Sequence, residues 1–147
     1  MTGQQENPGS GYTINREVTE AVDIEALVRA IGIHNVRTIN PNDLAQVKEA
    51  LDWALGMDEA SVIITRWPCA LKKQAPWDLE EFKGAFTGKY YVKEDVCIGC
   101  RRCTRTGCPA VVFDFDRKKS TIDADKCVGC SVCAQVCPVQ AIQKVEA

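Results

Sequence analysis

Cys97-Ile-Gly-Cys100-Arg-Arg-Cys103-Thr-Arg-Thr-Gly107-Cys108-Pro109 is followed, 30 residues after its start, by Cys127-Val-Gly-Cys130-Ser-Val-Cys133-Ala-Gln-Val-Cys137-Pro138. These two runs hold eight of the nine cysteines in a chain of 147 residues. The likeness extends on both sides. Val92-Lys-Glu-Asp-Val96 aligns with Ile122-Asp-Ala-Asp-Lys126. Each Cys-Pro leads into an apolar stretch, Ala110-Val-Val-Phe113 and Val139-Gln-Ala-Ile142. Such a repeat is one supersecondary unit used twice. Between the copies, Val112–Phe115 and Ser120–Ile122 flank the charged turn Asp116-Arg-Lys-Lys119, which predicts a short hairpin.

Clustered thiols serve as disulfides or as metal ligands. No basic stretch followed by an apolar run opens the sequence, so the expectation is metal ligation in a reducing, cytoplasmic compartment. The second run has the Cys-x2-Cys-x2-Cys-x3-Cys-Pro spacing of bacterial-type [4Fe–4S] ferredoxins. Three thiolates two residues apart can wrap one cubane in a tight loop, and the fourth reaches the other cluster. The expected ligand sets are therefore Cys97, Cys100, Cys103 and Cys137 for cluster 1, and Cys127, Cys130, Cys133 and Cys108 for cluster 2. The first run departs from the pattern: four residues, Thr104-Arg-Thr-Gly107, separate Cys103 from Cys108. Gly107 can absorb the extra residue because glycine tolerates positive φ. Zinc is the competing metal. Structural zinc sites take ligands as two separated pairs, and a third cysteine at the same spacing fits that poorly. Two oxidised cubane cores and eight thiolates add about −4 to the module. Arg101, Arg102, Arg105 and Lys126 stand beside ligands; they can offset that charge or be ordinary solvated side chains.

Upstream, residues 1–12 read as a loop rich in Gly, Pro, Asn and Ser. Val22, Ile24, Leu27, Val28 and Ile31 have helical spacing, with Gly32 as the stop. Asn35–Ile39 alternates like a strand. Asn40-Pro41 opens a second helix that Asn42 or Asp43 can cap and Gly56 ends, with Leu44, Val47, Leu51, Ala54 and Leu55 as its buried stripe. Ser61–Arg66 reads as a buried strand. Helix, strand, helix, strand predicts an α/β layer with a parallel sheet. Two such strands cannot cover both faces, so this half reads as the end of a larger domain. The expected division is 1–70, a linker at 71–89 with a short helix near Asp78–Phe86, and 90–147.

Hydrophobic residues at 46%, charged residues at 26% and a net charge of −2 exclude global disorder and a strongly basic nucleic-acid binder. No apolar run approaches the ~20 residues of a membrane helix. Charge divides with the modules: residues 1–80 carry 7 basic and 12 acidic side chains, residues 81–147 carry 11 and 8. No Gly-x-Gly-x-x-Gly or P-loop supports nucleotide binding. His34, the only histidine, is expected to cap or pack near Gly32. Cys69 is expected to be a buried or loop cysteine.

Met1-Thr-Gly-Gln-Gln-Glu-Asn-Pro-Gly-Ser-Gly11, Asn40-Pro-Asn-Asp-Leu44 and Ser61-Val-Ile-Ile-Thr-Arg-Trp-Pro-Cys69 resemble stretches of the large subunit of indolepyruvate ferredoxin oxidoreductase. Arg102-Cys103-Thr-Arg-Thr-Gly107-Cys108-Pro-Ala110, with its four-residue gap, is also similar to that family. The likeness covers essentially the whole chain. It implies oxidative decarboxylation of an aryl 2-oxoacid with thiamine diphosphate and Mg2+, transfer of the acyl group to coenzyme A, and passage of electrons through the clusters to an external ferredoxin. It implies that Thr2, Gly3 and Gln5 border the thiamine site. The family's diphosphate-binding Gly-Asp segment and magnesium-binding Asn precede the Met-Thr-Gly stretch, and no Gly-Asp pair occurs here. The expectation is thus a fragment or split subunit with no catalytic residue of its own. Its partners would be the rest of the thiamine-binding subunit and a smaller second subunit, with no nucleic acid and no membrane.

The expected fold class is α+β: the C-terminal part of an α/β thiamine-diphosphate-binding domain, then a bacterial-type 2x[4Fe-4S] ferredoxin domain. The alternative is a stand-alone ferredoxin-like electron carrier with an N-terminal docking segment. The α/β pattern of Val22–Arg66 speaks against it.

Overall fold

A computed structural model describes residues 6–70, 76–82 and 88–145. The chain forms two compact units, Met1–Phe82 and Lys83–Ala147. The division falls inside the stretch expected as a linker.

The first unit begins with a turn at Pro8–Ser10, started by the Asn7 side chain accepting from the Gly9 N–H at 2.9 Å. Helix α1, Ile24–Ala30, is capped by Asp23, whose carboxylate accepts from the Ala26 N–H. Gly32 follows at φ 93°, a left-handed position that ends the helix. Strands β1, Asn35–Ile39, and β2, Ser61–Thr65, pair in parallel in the register Asn35↔Ser61 to Ile39↔Thr65. Between them runs α2, Leu44–Leu55. Asp43 caps it, accepting from the Ala45 and Gln46 N–H groups at 3.0 and 3.1 Å. Those bonds favour the ionised form, and the Gln46 N–H and side chain hold the Asp43 carboxyl below its ordinary value. Helix α3, Pro76–Glu81, stands where Asp78–Phe86 was expected; residues 83–86 lie outside the described residues.

The stripe expected on α2 holds in part: Leu44, Val47 and Ala54 are half-buried, while Leu51 and Leu55 are corrected. Leu51 is half exposed and Leu55 is 84% exposed, while Ala50 is buried. Beside the half-buried Val47 and Ala54, Arg37 of β1 lies 4.4 Å from the Trp53 ring and 3.5 Å from Glu49. The strand β2 expected to be buried is only half-buried. The reason is coverage. No described residue covers the outward row of α2, and one helical layer covers only one face of a sheet. Ile31 on the end of α1 is 70% exposed for the same reason.

The second unit is an interleaved repeat. Strand β3, Tyr90–Val92, precedes the first run and pairs antiparallel with β6, Ile142–Lys144, which follows the second. Strands β4, Val111–Asp114, and β5, Lys119–Ile122, form the expected hairpin. Each strand leading into one run thus pairs with the strand leaving the other. A short 3-10 helix, Cys103–Thr106, and helix α4, Val132–Gln135, carry the third cysteines, Cys103 and Cys133. The core is Cys103, Val111, Cys133 and Ile142, flanked by Tyr90, Val92 and Ile122.

Candidate metal centres

The repeat is visible in the backbone of the cysteine loops. Gly99 and Gly129 have φ of 70° and 73°, and Arg101 and Ser131 have φ of 61° and 65°. A non-glycine residue there costs energy, and both copies adopt it at the same place. Gly99 has a further reason to be glycine: a Cβ there would sit 2.4 Å from the Lys118 carbonyl oxygen. Among the described residues, the backbone N–H groups of Ile98–Arg101 and Val128–Ser131 have no protein partner. Such loops of free N–H groups make concavities suited to an anionic group. Just before each loop, the Cys97 N–H donates to the Lys93 carbonyl and the Cys127 N–H to the Asp123 carbonyl, both at 3.0 Å.

Cys97, Cys100 and Cys103 line one pocket, and Cys137 of the second run lines the same pocket. The Ala141 N–H donates to Cys137 Sγ at 3.3 Å. Buried Ser120 places Oγ 3.3 Å from Cys103 Sγ. Of the other four cysteines, Cys133 is within electrostatic reach of Cys130, Cys108 and Cys127. Burial, and then the charges of Cys130, Cys108 and Cys127, push the Cys133 thiol up to about 12. Four thiols round one space, with free N–H groups on the rim, suit a polynuclear group held by four thiolates, so the donor set fits a [4Fe–4S] cluster.

Strand exchange explains the grouping. Cys137 lies just before β6, which is bound to β3 ahead of the first run. Cys108 lies just before β4, which is bound to β5 ahead of the second. The Lys93 N–H donates to the Ala141 carbonyl and the Asp123 N–H to the Ala110 carbonyl, at 2.7 and 2.8 Å. Gly107, at φ 70°, takes up the extra residue of the first run as expected.

Sequence reasoning missed two lysines. Lys119 Nζ donates to the Cys97 carbonyl, and Lys89 Nζ donates to the Cys127 carbonyl at 2.5 Å. They are 30 residues apart, and each braces the other copy's first cysteine. The signal was present: Lys89-Tyr-Tyr-Val92 aligns with Lys119-Ser-Thr-Ile122 once the repeat is extended upstream. Ser120 was missed as well.

Of the expected charge-offsetting residues, Lys126 is already engaged by Asp123 at 2.8 Å. The Arg101 guanidinium lies 5.3 and 5.4 Å from the Phe113 and Phe115 ring centroids. Arg102 and Arg105 are exposed. Thr2, Gly3 and Gln5 lie outside the described residues. His34 is exposed and does not pack; its carbonyl accepts from Arg29 at 2.9 Å. Cys69 is half-buried and forms no disulfide. Among the described residues, no helix is long and apolar enough to cross a membrane.

Residues 91–144 match the 4Fe-4S dicluster domain, so the chain has such a domain. Over 97% of its length the chain is 39% identical to the indolepyruvate oxidoreductase subunit IorA of Archaeoglobus fulgidus, covering 22% of that protein. It is 36% identical over 99% of its length to IorA of Thermococcus kodakarensis, again covering 22%. The chain thus spans about a fifth of the length of these curated relatives. A 57-residue part is 42% identical to the pyruvate synthase subunit PorD of Methanothermobacter marburgensis, covering 39% of this chain and 65% of that one.

Proposed function

We propose that the dicluster domain binds one [4Fe–4S] cluster through Cys97, Cys100, Cys103 and Cys137 and a second through Cys127, Cys130, Cys133 and Cys108. We further propose that the chain is the electron-exit part of a 2-oxoacid oxidoreductase of the indolepyruvate type. The observation that carries this reading is the presence of Cys137 on the cavity lined by the three cysteines of the first run. A bound cluster supplies a store for single electrons. The chain's own groups hold it: thiolates as ligands, free loop N–H groups facing its negative charge, and Lys89 and Lys119 fixing the loops from across the repeat.

In the complete enzyme, the first unit would close one side of the thiamine diphosphate and Mg2+ site, with Thr2, Gly3 and Gln5 beside it. The rest of the thiamine subunit and a smaller second subunit would supply catalysis. An aryl 2-oxoacid and coenzyme A would be substrates, and an external ferredoxin the acceptor. The stand-alone carrier is disfavoured by the first unit: a free carrier has no use for an α/β layer that leaves Leu51, Leu55 and Ile31 open.

Iron and acid-labile sulfide per chain test the reading, together with EPR of the reduced protein after anaerobic reconstitution. About eight of each and the spectrum of two interacting cubanes are expected. Zinc, or negligible sulfide, would remove the reading. The chain alone should take up electrons from a reductant and show no coenzyme-A-dependent decarboxylation.

A further inference from the structure

The two cysteine loops repeat in backbone but not in surface. In the second copy Val128, Cys130 and Ser131 are half-buried. In the first, Ile98 is 63% exposed, and Arg101 and Arg102 replace Ser131 and Val132. Of the eight candidate ligands, Cys100 alone is exposed.

The surface around Cys100 is continuous. Arg101 reaches over Phe113 and Phe115, and Phe115 is 69% exposed. The close approach of Gly99 to the Lys118 carbonyl joins the 98–101 loop to the 115–118 turn. Arg102 and Arg105 are three residues apart at the short 3-10 helix, a spacing at which side chains lie one above the other. Among the described residues, Arg101, Arg102, Arg105 and Lys118 form no ion pair. The nearby carboxylates are mostly engaged: Arg117 holds Glu94 and Asp114, and Lys93 lies 3.8 Å from Asp95. Asp116 is the one carboxylate of the 114–118 turn outside an ion pair.

We propose that this face docks an acidic one-electron carrier protein, with Ile98 and Phe115 as its apolar centre and Arg101, Arg102, Arg105 and Lys118 as its cationic rim. The inference rests on the cluster reading above and deepens it by naming where electrons leave. Electron transfer weakens steeply with distance, so an acceptor must close on the least covered ligand. One electron leaves the reduced chain and the oxidised carrier takes it; no atom is exchanged. A small apolar centre within unpaired charge suits a transient partner brought in by electrostatic steering.

The test uses the full chain, reconstituted with iron and sulfide, titrated into an oxidised, fluorescently labelled acidic ferredoxin and followed by anisotropy. Binding should weaken steeply as salt rises. R102E/R105E should weaken it roughly tenfold or more at low salt. K118E, which changes no neighbour of a ligand in sequence, should weaken it in the same direction with iron and sulfide content unchanged. K48E, on the first unit, should bind as the parent does. If R102E/R105E fails to load iron, K118E decides. Absent binding, parent-like binding by the charge-reversed variants, or binding indifferent to salt overturns the proposal. A parent chain that takes up no iron and sulfide overturns the cluster reading instead, and does so before any titration.

Discussion

Ser120 is 1% exposed, and its Oγ lies 3.3 Å from Cys103 Sγ. When that sulfur is a thiolate ligand, the hydroxyl donates to it and favours the reduced, more negative state. A hydrogen bond worth about 1 kcal/mol corresponds to about 40 mV for one electron. S120A should therefore lower the potential of the cluster held by Cys103 by about that much and leave the other unchanged. An EPR-monitored redox titration reads this; equal shifts in both signals would contradict the assignment. C108A should damage the cluster of Cys127, Cys130 and Cys133 and largely spare its neighbour, and equal loss of both would refute the exchanged ligands. The grouping of Cys137 with the first run was legible because the spacing of each run leaves its last cysteine to the other copy. Ser120 was not, because it acts on the other copy of the repeat and only folding brings it there; Lys89 and Lys119 could be read only as a matched pair, by extending the repeat upstream.

Elements were legible where the local signal is strong. β1 appears at its expected residues, and the parallel pairing followed from element order. The Asp43 cap and the Gly56 stop of α2 were also readable from residue type. The pairing of β3 with β6 was not, because each has three residues and their partners lie about fifty residues apart in the chain. Hydrophobic spacing also promised that Leu51 and Leu55 would be covered; spacing names a face but cannot supply what covers it. Asp43 makes the first unit's stability depend on pH. Its folded pKa is depressed, so the ionised cap stabilises above the unfolded carboxylate value. That stabilisation is lost as pH falls through the folded pKa. D43A should lower the melting temperature of the first unit at neutral pH, with the gap to the parent closing in strong acid. D43N, which caps without ionising, should remove part of the pH dependence.

At the scale of the molecule, the two units are held together by different means. Among the described residues of the first unit, only Ala50 and Asp78 are buried. In the second, two of the four core residues, Cys103 and Cys133, are themselves candidate ligands. Where ligands form the core, metal binding and folding share one free energy. In the cluster-bound protein proposed above, removing the metal would leave thiols round the space that Cys97, Cys100, Cys103 and Cys137 line. The first unit should show no such dependence, since its sheet and helices are held by backbone pairing, caps and the Arg37–Trp53 contact. Hydrogen exchange on the full chain, before and after iron is stripped with chelator and oxidant, separates the two. Amides of 90–92, 111–122 and 142–144 should lose their protection on stripping, while those of 35–39, 44–55 and 61–65 should keep theirs. Protection that survives stripping in the second unit would mean that its strands pack without the clusters. Protection lost from both units together would mean that the first depends on the metal after all.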